Sequence, residues 1–223
     1  MILIQLVFVL VILYILRVVY ENWDNLIHIV YSLTNSTTFM SVPTNQHLLK
    51  DVEQMIQYNI PKPEIHTFVD FGSGYGTLLI DMLHKYNKLV GVELDETSHS
   101  QASQLLQTEP SVTLHNMPMQ NYTFEDEPTI LYMYEPLFEV KDPQIRHDVY
   151  SSVMKNLSRL KQSVYVVYVS RNALSCFMDG FAYESLAFTK NGFQLIAMKK
   201  SLLWPMSRNI YVYQLKSPNT ERF

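Results

Sequence analysis

The sequence predicts an α/β fold: a doubly wound, mostly parallel sheet of seven strands that ends in an antiparallel hairpin. Three observations predict it. Short apolar runs alternate with helical patterns from residue 66 to residue 188, the arrangement that lays helices over both faces of a parallel sheet. Three of the chain's six glycines, Gly72, Gly74 and Gly76, follow the first apolar run directly, where a tight strand-to-helix turn is needed. The last two strand candidates are joined only by Trp204-Pro205-Met206-Ser207-Arg208, and so short a connection forces an antiparallel pair.

The elements follow in order. Thr44–Tyr58 carries apolar residues at Leu48, Leu49, Val52, Met55 and Ile56, which is helical spacing, with Thr44 as N-cap. Strands are expected at His66–Phe71, Lys88–Leu94, Ser111–His115, Thr129–Tyr134 and Ser163–Ser170. Helices are expected at Thr77–Lys85, Glu96–Leu106, Pro143–Leu160 and Ala173–Phe188, and the closing strands at Phe193–Leu203 and Asn209–Lys216.

Composition narrows the function. The 223 residues suit one domain plus an appendage, and 48% hydrophobic content is ample for a core. A net charge of −4 with no basic cluster larger than Lys199-Lys200 argues against a nucleic-acid partner. Cys176 is the only cysteine, so neither an intrachain disulfide nor a cysteine metal site is expected, and the histidines lack metal-ligand spacing.

The appendage is the start of the chain. Between Ile2 and Tyr20 only Gln5 and Arg17 are strongly polar. That stretch is expected to form a transmembrane helix, since nineteen helical residues reach roughly 28 Å, near the hydrocarbon thickness of a bilayer. Arg17 can snorkel, and Tyr20 and Trp23 fall at the interface. The start lacks the basic flank and small-residue cleavage site of a signal peptide. The expected organisation is an anchor at 1–20, a linker at 21–42 and a domain at 43–223. Basic residues after the span lean the domain towards a reducing compartment, the cytosol or the mitochondrial matrix.

The glycine run decides what the sheet edge binds. A dinucleotide fingerprint requires a glycine at the sixth position from Gly72, and Thr77 stands there. The pattern present is Asp70-x-Gly72-x-Gly74-x-Gly76, followed by Glu93 at the end of the second strand. A carboxylate there can accept both hydroxyls of a ribose. This pattern resembles the first motif of class I S-adenosylmethionine-dependent methyltransferases, whose sheet is Rossmann-like with a C-terminal antiparallel hairpin. The resemblance runs from Val42 to about Lys216. It implies S-adenosylmethionine as cofactor. Gly72, Gly74 and Gly76 would then let backbone approach it, Asp70 would help hold its methionine amino end, and Glu93 would hold its ribose. Leu94 and Met117 would flank its adenine, and the Asn116 carbonyl would accept from the exocyclic amine.

Chemistry is expected after the fourth strand, at Tyr132-Met133-Tyr134-Glu135-Pro136-Leu137. Amino-group methyltransferases often carry Asn/Asp-Pro-Pro-aromatic at this point, so the match is partial. Glu135 keeps an acceptor for an incoming amine, and Tyr134, with Tyr132, would line an aromatic cradle for a lysine ammonium. Alternation along the strand can put only one of its faces at the site, and strand packing is the other reading of the two tyrosines. The anchor, the Ser41-Val42-Pro43-Thr44 segment and the glycine motif together resemble single-pass protein lysine methyltransferases acting on mitochondrial carriers and ATP synthase subunits. That resemblance implies a lysine of a membrane-associated protein as methyl acceptor. A lipid-soluble small-molecule acceptor, and a silent nucleoside-binding scaffold, are the other readings. A nicotinamide-dependent reductase is disfavoured by Thr77 and the hairpin.

Overall fold

The computed structural model describes residues 11, 12, 14, 46–137, 140, 142–171, 180–201 and 208–216. Helix α1 is Gln46–Asn59. Strand β1, Thr67–Phe71, leads into α2, Thr77–Met82, and β2, Leu89–Glu93, into α3, Glu96–Leu105. Then come β3, Val112–Asn116, β4, Thr129–Tyr134, α4, Pro143–Leu157, and β5, Val164–Arg171. Helix α5, Gly180–Lys190, precedes β6, Phe193–Ser201, and β7, Arg208–Leu215.

The seven strands form one sheet in the order β3-β2-β1-β4-β5-β7-β6. The first five are parallel, and β7 runs antiparallel between β5 and β6. Strands β1, β2, β4 and β5 are largely apolar runs because both faces of the sheet are covered, whereas β3 at the edge, Val112–Asn116, has no fully buried residue. Alternation sends Phe68 and Tyr132 into a core beneath α1 and α2, and Val69, Phe71 and Met133 into a second core beneath α4 and α5.

The elements match the expected ones except at their ends. Helix α2 stops at Met82 rather than Lys85, because Leu83 leaves helical geometry and His84 takes a φ of 65°. Helix α4 stops at Leu157, three residues early, as Ser158 bonds back to the last turn. Two short 3-10 turns, Pro63–Ile65 and Met119–Asn121, were not expected. The Thr44 cap, the Ser41–Thr44 segment, most of the 173–188 helix before Gly180 and the β6–β7 connection at 202–207 lie outside the described residues. So does the anchor, apart from Val11, Ile12 and Tyr14, which are helical and exposed. Among the described residues no helix is long and apolar enough to cross a membrane.

One packing feature escaped the sequence pattern. Gly91, in the middle of β2, lies where a Cβ would stand 2.7 Å from both Leu114 Cδ2 and Leu79 Cδ1 and 2.9 Å from Ser73 Oγ. Its missing side chain lets α2 settle on the sheet and sets the depth of the turn above it.

Candidate nucleoside site

The carboxyl ends of β1, β2 and β3 build the site, as expected for ligands of an open parallel sheet. Gly72 and Gly74 have φ of 79° and 52°, dihedrals that side chains resist. The amide of Gly72 donates to the Val92 carbonyl at 2.9 Å, which pins the turn to the end of β2. Gly76, at φ 77°, opens α2, and a Cβ on it would stand 2.8 Å from Leu106 Cδ1. Its visible role is therefore helix–helix packing, while Gly72 and Gly74 form the turn at the edge.

Glu93 organises this edge. Its Oε2 accepts from the Gly74 amide at 2.8 Å and its Oε1 from the Asp95 amide at 2.8 Å. Each oxygen has a second lone-pair direction, so a ribose diol can still be held. Asp95 in turn caps α3 by accepting from the Ser98 amide at 2.8 Å. Asn116 sits opposite Glu93 in the β2–β3 register. Its amide nitrogen donates to the Glu93 and Leu94 carbonyls, at 3.0 and 3.1 Å, which orients its carbonyl oxygen as the remaining acceptor. Leu94 is 59% exposed, a large apolar side chain beside a polar cradle. Met117 is half-buried and packs on the second core, with its amide donating to the Glu93 carbonyl at 3.1 Å.

Asp70 lies at the base of the turn, 3% exposed. Burial first, and then the charge of Glu93, push its carboxyl up to about 8. Asp70 is therefore protonated at neutral pH in this state. The sign follows from that upward shift: protons favour the fold, and the Asp70 contribution to stability is lost as pH rises from the ordinary carboxylate range through about 8.

The acceptor is expected at the end of β4. Tyr132 is 1% exposed and stacks on Phe68 with ring centroids 6.0 Å apart, so it belongs to the core and not to a cradle. Tyr134 is half-buried at the edge. The Arg208 guanidinium lies 5.7 Å from its ring centroid and donates from Nε to its hydroxyl at 2.6 Å, so a cation already stands beside this ring. Arg208 opens β7, opposite Arg171 of β5, and is buried. An arginine at the start of an antiparallel strand beside β5 must lie at the carboxyl edge, and that placement was the available signal for it. Glu135 leaves β4 with a φ of 42°. Such a conformation costs about 1–3 kcal/mol for a side-chain-bearing residue and tends to occur at functional sites. The next residue, Pro136, has its Cβ 3.2 Å from where a Cβ of Gly72 would be, so the acceptor and nucleoside sides meet there.

No protein-family model matches the chain, and no curated protein matches it by sequence. Solved structures do match in shape. The N-methyltransferase NodS from Bradyrhizobium japonicum WM9 has a TM-score of 0.59 at 10% identity, over 77% of this chain and 97% of its own. It has also been solved in complex with S-adenosyl-L-homocysteine. A putative S-adenosylmethionine-dependent methyltransferase from Listeria monocytogenes gives 0.56 at 14% identity, over 75% and 99%. The [4+2]-cyclase SpnF gives 0.57 at 10% identity, over 76% and 82%. The chain thus has the class I methyltransferase fold, and the cyclase among its neighbours separates fold from chemistry.

Proposed function

We propose that this chain is a membrane-anchored S-adenosylmethionine-dependent methyltransferase whose acceptor is a lysine amine of a membrane-associated protein. The observation that carries the cofactor is Glu93, a carboxylate fixed at both oxygens by the Gly74 and Asp95 amides at the edge of a glycine turn. The residues present fit the group: Glu93 for the ribose, Leu94 and Asn116 for the adenine, and Asp70 for the cationic end. When bound, S-adenosylmethionine supplies a methyl group already activated on a sulfonium. The protein's task is then to place a nucleophile in line, which is worth several orders of magnitude in rate. An amine can attack only after losing its proton. Glu135 would receive the ammonium form first; its proton then passes to solvent, a loss that the Arg208 guanidinium fixed on Tyr134 favours, and Glu135 accepts a hydrogen bond from the neutral amine and orients its lone pair. The N-terminal apolar stretch and the single cysteine support an anchored domain facing the cytosol or the mitochondrial matrix.

The test is calorimetric titration of the full chain in detergent with S-adenosylmethionine, with NADH alongside, followed by transfer of labelled methyl groups to membrane-protein extracts. Micromolar binding of S-adenosylmethionine alone, plus a labelled protein band that weakens with Glu135→Gln, is expected. Binding without any transfer would favour the scaffold reading, and label in the lipid fraction a lipophilic acceptor.

Protonation of Asp70 gives a second prediction. A cationic ligand end arriving beside it should expel its proton, so affinity should rise up to about tenfold per pH unit between about pH 6 and 7. Titrations in buffers of different ionisation enthalpy should show release approaching one proton, and Asp70→Asn should abolish both effects. Equal affinity across that range would remove Asp70 from the cationic end.

A further inference from the structure

We infer that the β6 edge of the sheet is a second membrane contact, laid against the anionic surface of the bilayer that holds the N-terminal span; this rests on the anchored reading above. Strand β6 closes the sheet on one side and has β7 as its one neighbour. A bulge between Leu195 and Ala197 breaks its alternation. As a result Leu195, Ile196 and Met198 are all exposed, at 42%, 38% and 57%, on a nine-residue edge strand. An open apolar edge of this length is a liability in water and calls for a cover.

Two observations identify the cover as lipid. The first is charge. From Phe193 to Lys216 the sequence holds Lys199, Lys200, Arg208 and Lys216 and no Asp or Glu, in a chain whose net charge is −4. Lys199 is spent on Asp51 and Gln54 of α1, at 2.6 and 3.0 Å, and Arg208 is buried against Tyr134. Lys200 and Lys216 remain exposed, with Lys190 at the end of α5. Apolar side chains among exposed lysines suit an anionic headgroup layer. The second observation is the route of the chain. Helix α1, the first described element after the expected linker in the sequence, packs directly on β6 and β7. Lys199, two residues from the end of β6, holds Asp51 in the first half of α1, so the first half of α1 is fastened to this edge. Strand β6 runs parallel to β5, and Ser201 faces Arg208 in the register. The end of β6, with Lys199 and its partner Asp51, thus lies at the carboxyl edge of the sheet beside the candidate site, while Leu195 and Lys216 lie towards the strand's other end. A domain seated this way holds its site at the bilayer surface, within reach of lysines on the loops of membrane proteins.

The test uses the full chain with Cys176→Ser and Met198→Cys, labelled with an environment-sensitive fluorophore and reconstituted into phosphatidylcholine vesicles with or without roughly one-fifth phosphatidylserine. Blue-shifted emission, quenched at least about twofold by spin-labelled lipid in the anionic vesicles, is expected. Adding Lys200→Glu with Lys216→Glu should return the label to water. The same label at Gln107→Cys, beyond α3 at the opposite side of the sheet, should stay in water. Vesicle flotation separates the two readings. A chain that floats while its Met198→Cys label stays in water overturns the contact and leaves the anchor standing. A chain that does not float overturns both. A shift that scales with protein-to-lipid ratio identifies a second copy on the edge and overturns the lipid contact.

Discussion

Replacing Glu93 with Ala is expected to weaken S-adenosylmethionine binding by about 100- to 1,000-fold, the loss of two hydrogen bonds to a charged group at about 1.5–3 kcal/mol each, partly offset by water. The effect is large because Glu93 works on two levels. It presents acceptors to the ribose, and its oxygens also tie the Gly74 amide to the Asp95 amide, holding the turn after β1 against the start of α3. Glu93→Gln separates these roles. It keeps one carbonyl oxygen for one amide and turns a donor towards the other, so affinity should fall while the melting temperature changes less than in the Ala variant. Calorimetric affinity and thermal melting, read together, decide the matter. Unchanged affinity in Glu93→Ala would remove the ribose assignment and with it the main support for the cofactor.

Gly91→Ala should cost about 3 kcal/mol of stability, the upper part of the range for overpacking a dense core, and lower the melting temperature by about 6–12 °C for a domain of this size. Its Cβ would meet Leu114, Leu79 and Ser73 at once, all inside 3.0 Å. The two leucines can rotate only by displacing neighbours in the core beneath α2. Moving Ser73 disturbs the glycine turn, so cofactor affinity should fall as well. Gly192→Ala is the control: its φ is 87°, but its nearest new contact is Leu215 Cδ1 at 3.6 Å, so it tests backbone strain alone. Strain of that kind costs about 1 kcal/mol. If Gly91→Ala melts with the native chain, the close seat of α2 on β2 is wrong.

Much of this architecture was legible in the residues. Strands β1, β2, β4 and β5 announce themselves by apolar runs, and Glu93 falls in register with the glycine turn because βαβ units have a narrow range of lengths. Other features depend on three-dimensional neighbours. Gly91 reads as a weak point in a strand until Leu79 and Leu114 are seen to close over it. Tyr132 and Tyr134 look alike in sequence and differ only in depth, the first stacked on Phe68 and the second held by Arg208. The elevated carboxyl of Asp70 comes from burial, which no local pattern encodes. The early stop of α2 reflects the left-handed turn at His84, which periodicity does not report.

The position of β7 has a consequence for how the molecule is made. Among the described strands it comes last in the sequence, yet it lies between β5 and β6, both synthesised before it. Until Arg208–Leu215 has emerged, β5 has an open side and β6 has no partner in the sheet. Arg208, which fastens Tyr134, also arrives only then. A nascent chain that already carries the whole nucleoside cradle from Asp70 to Met117 therefore lacks a finished acceptor side. Premature stop codons upstream of residue 208 should yield chains able to bind nucleoside at best, and if the proposed methyl transfer holds it should need Arg208–Leu215 in place.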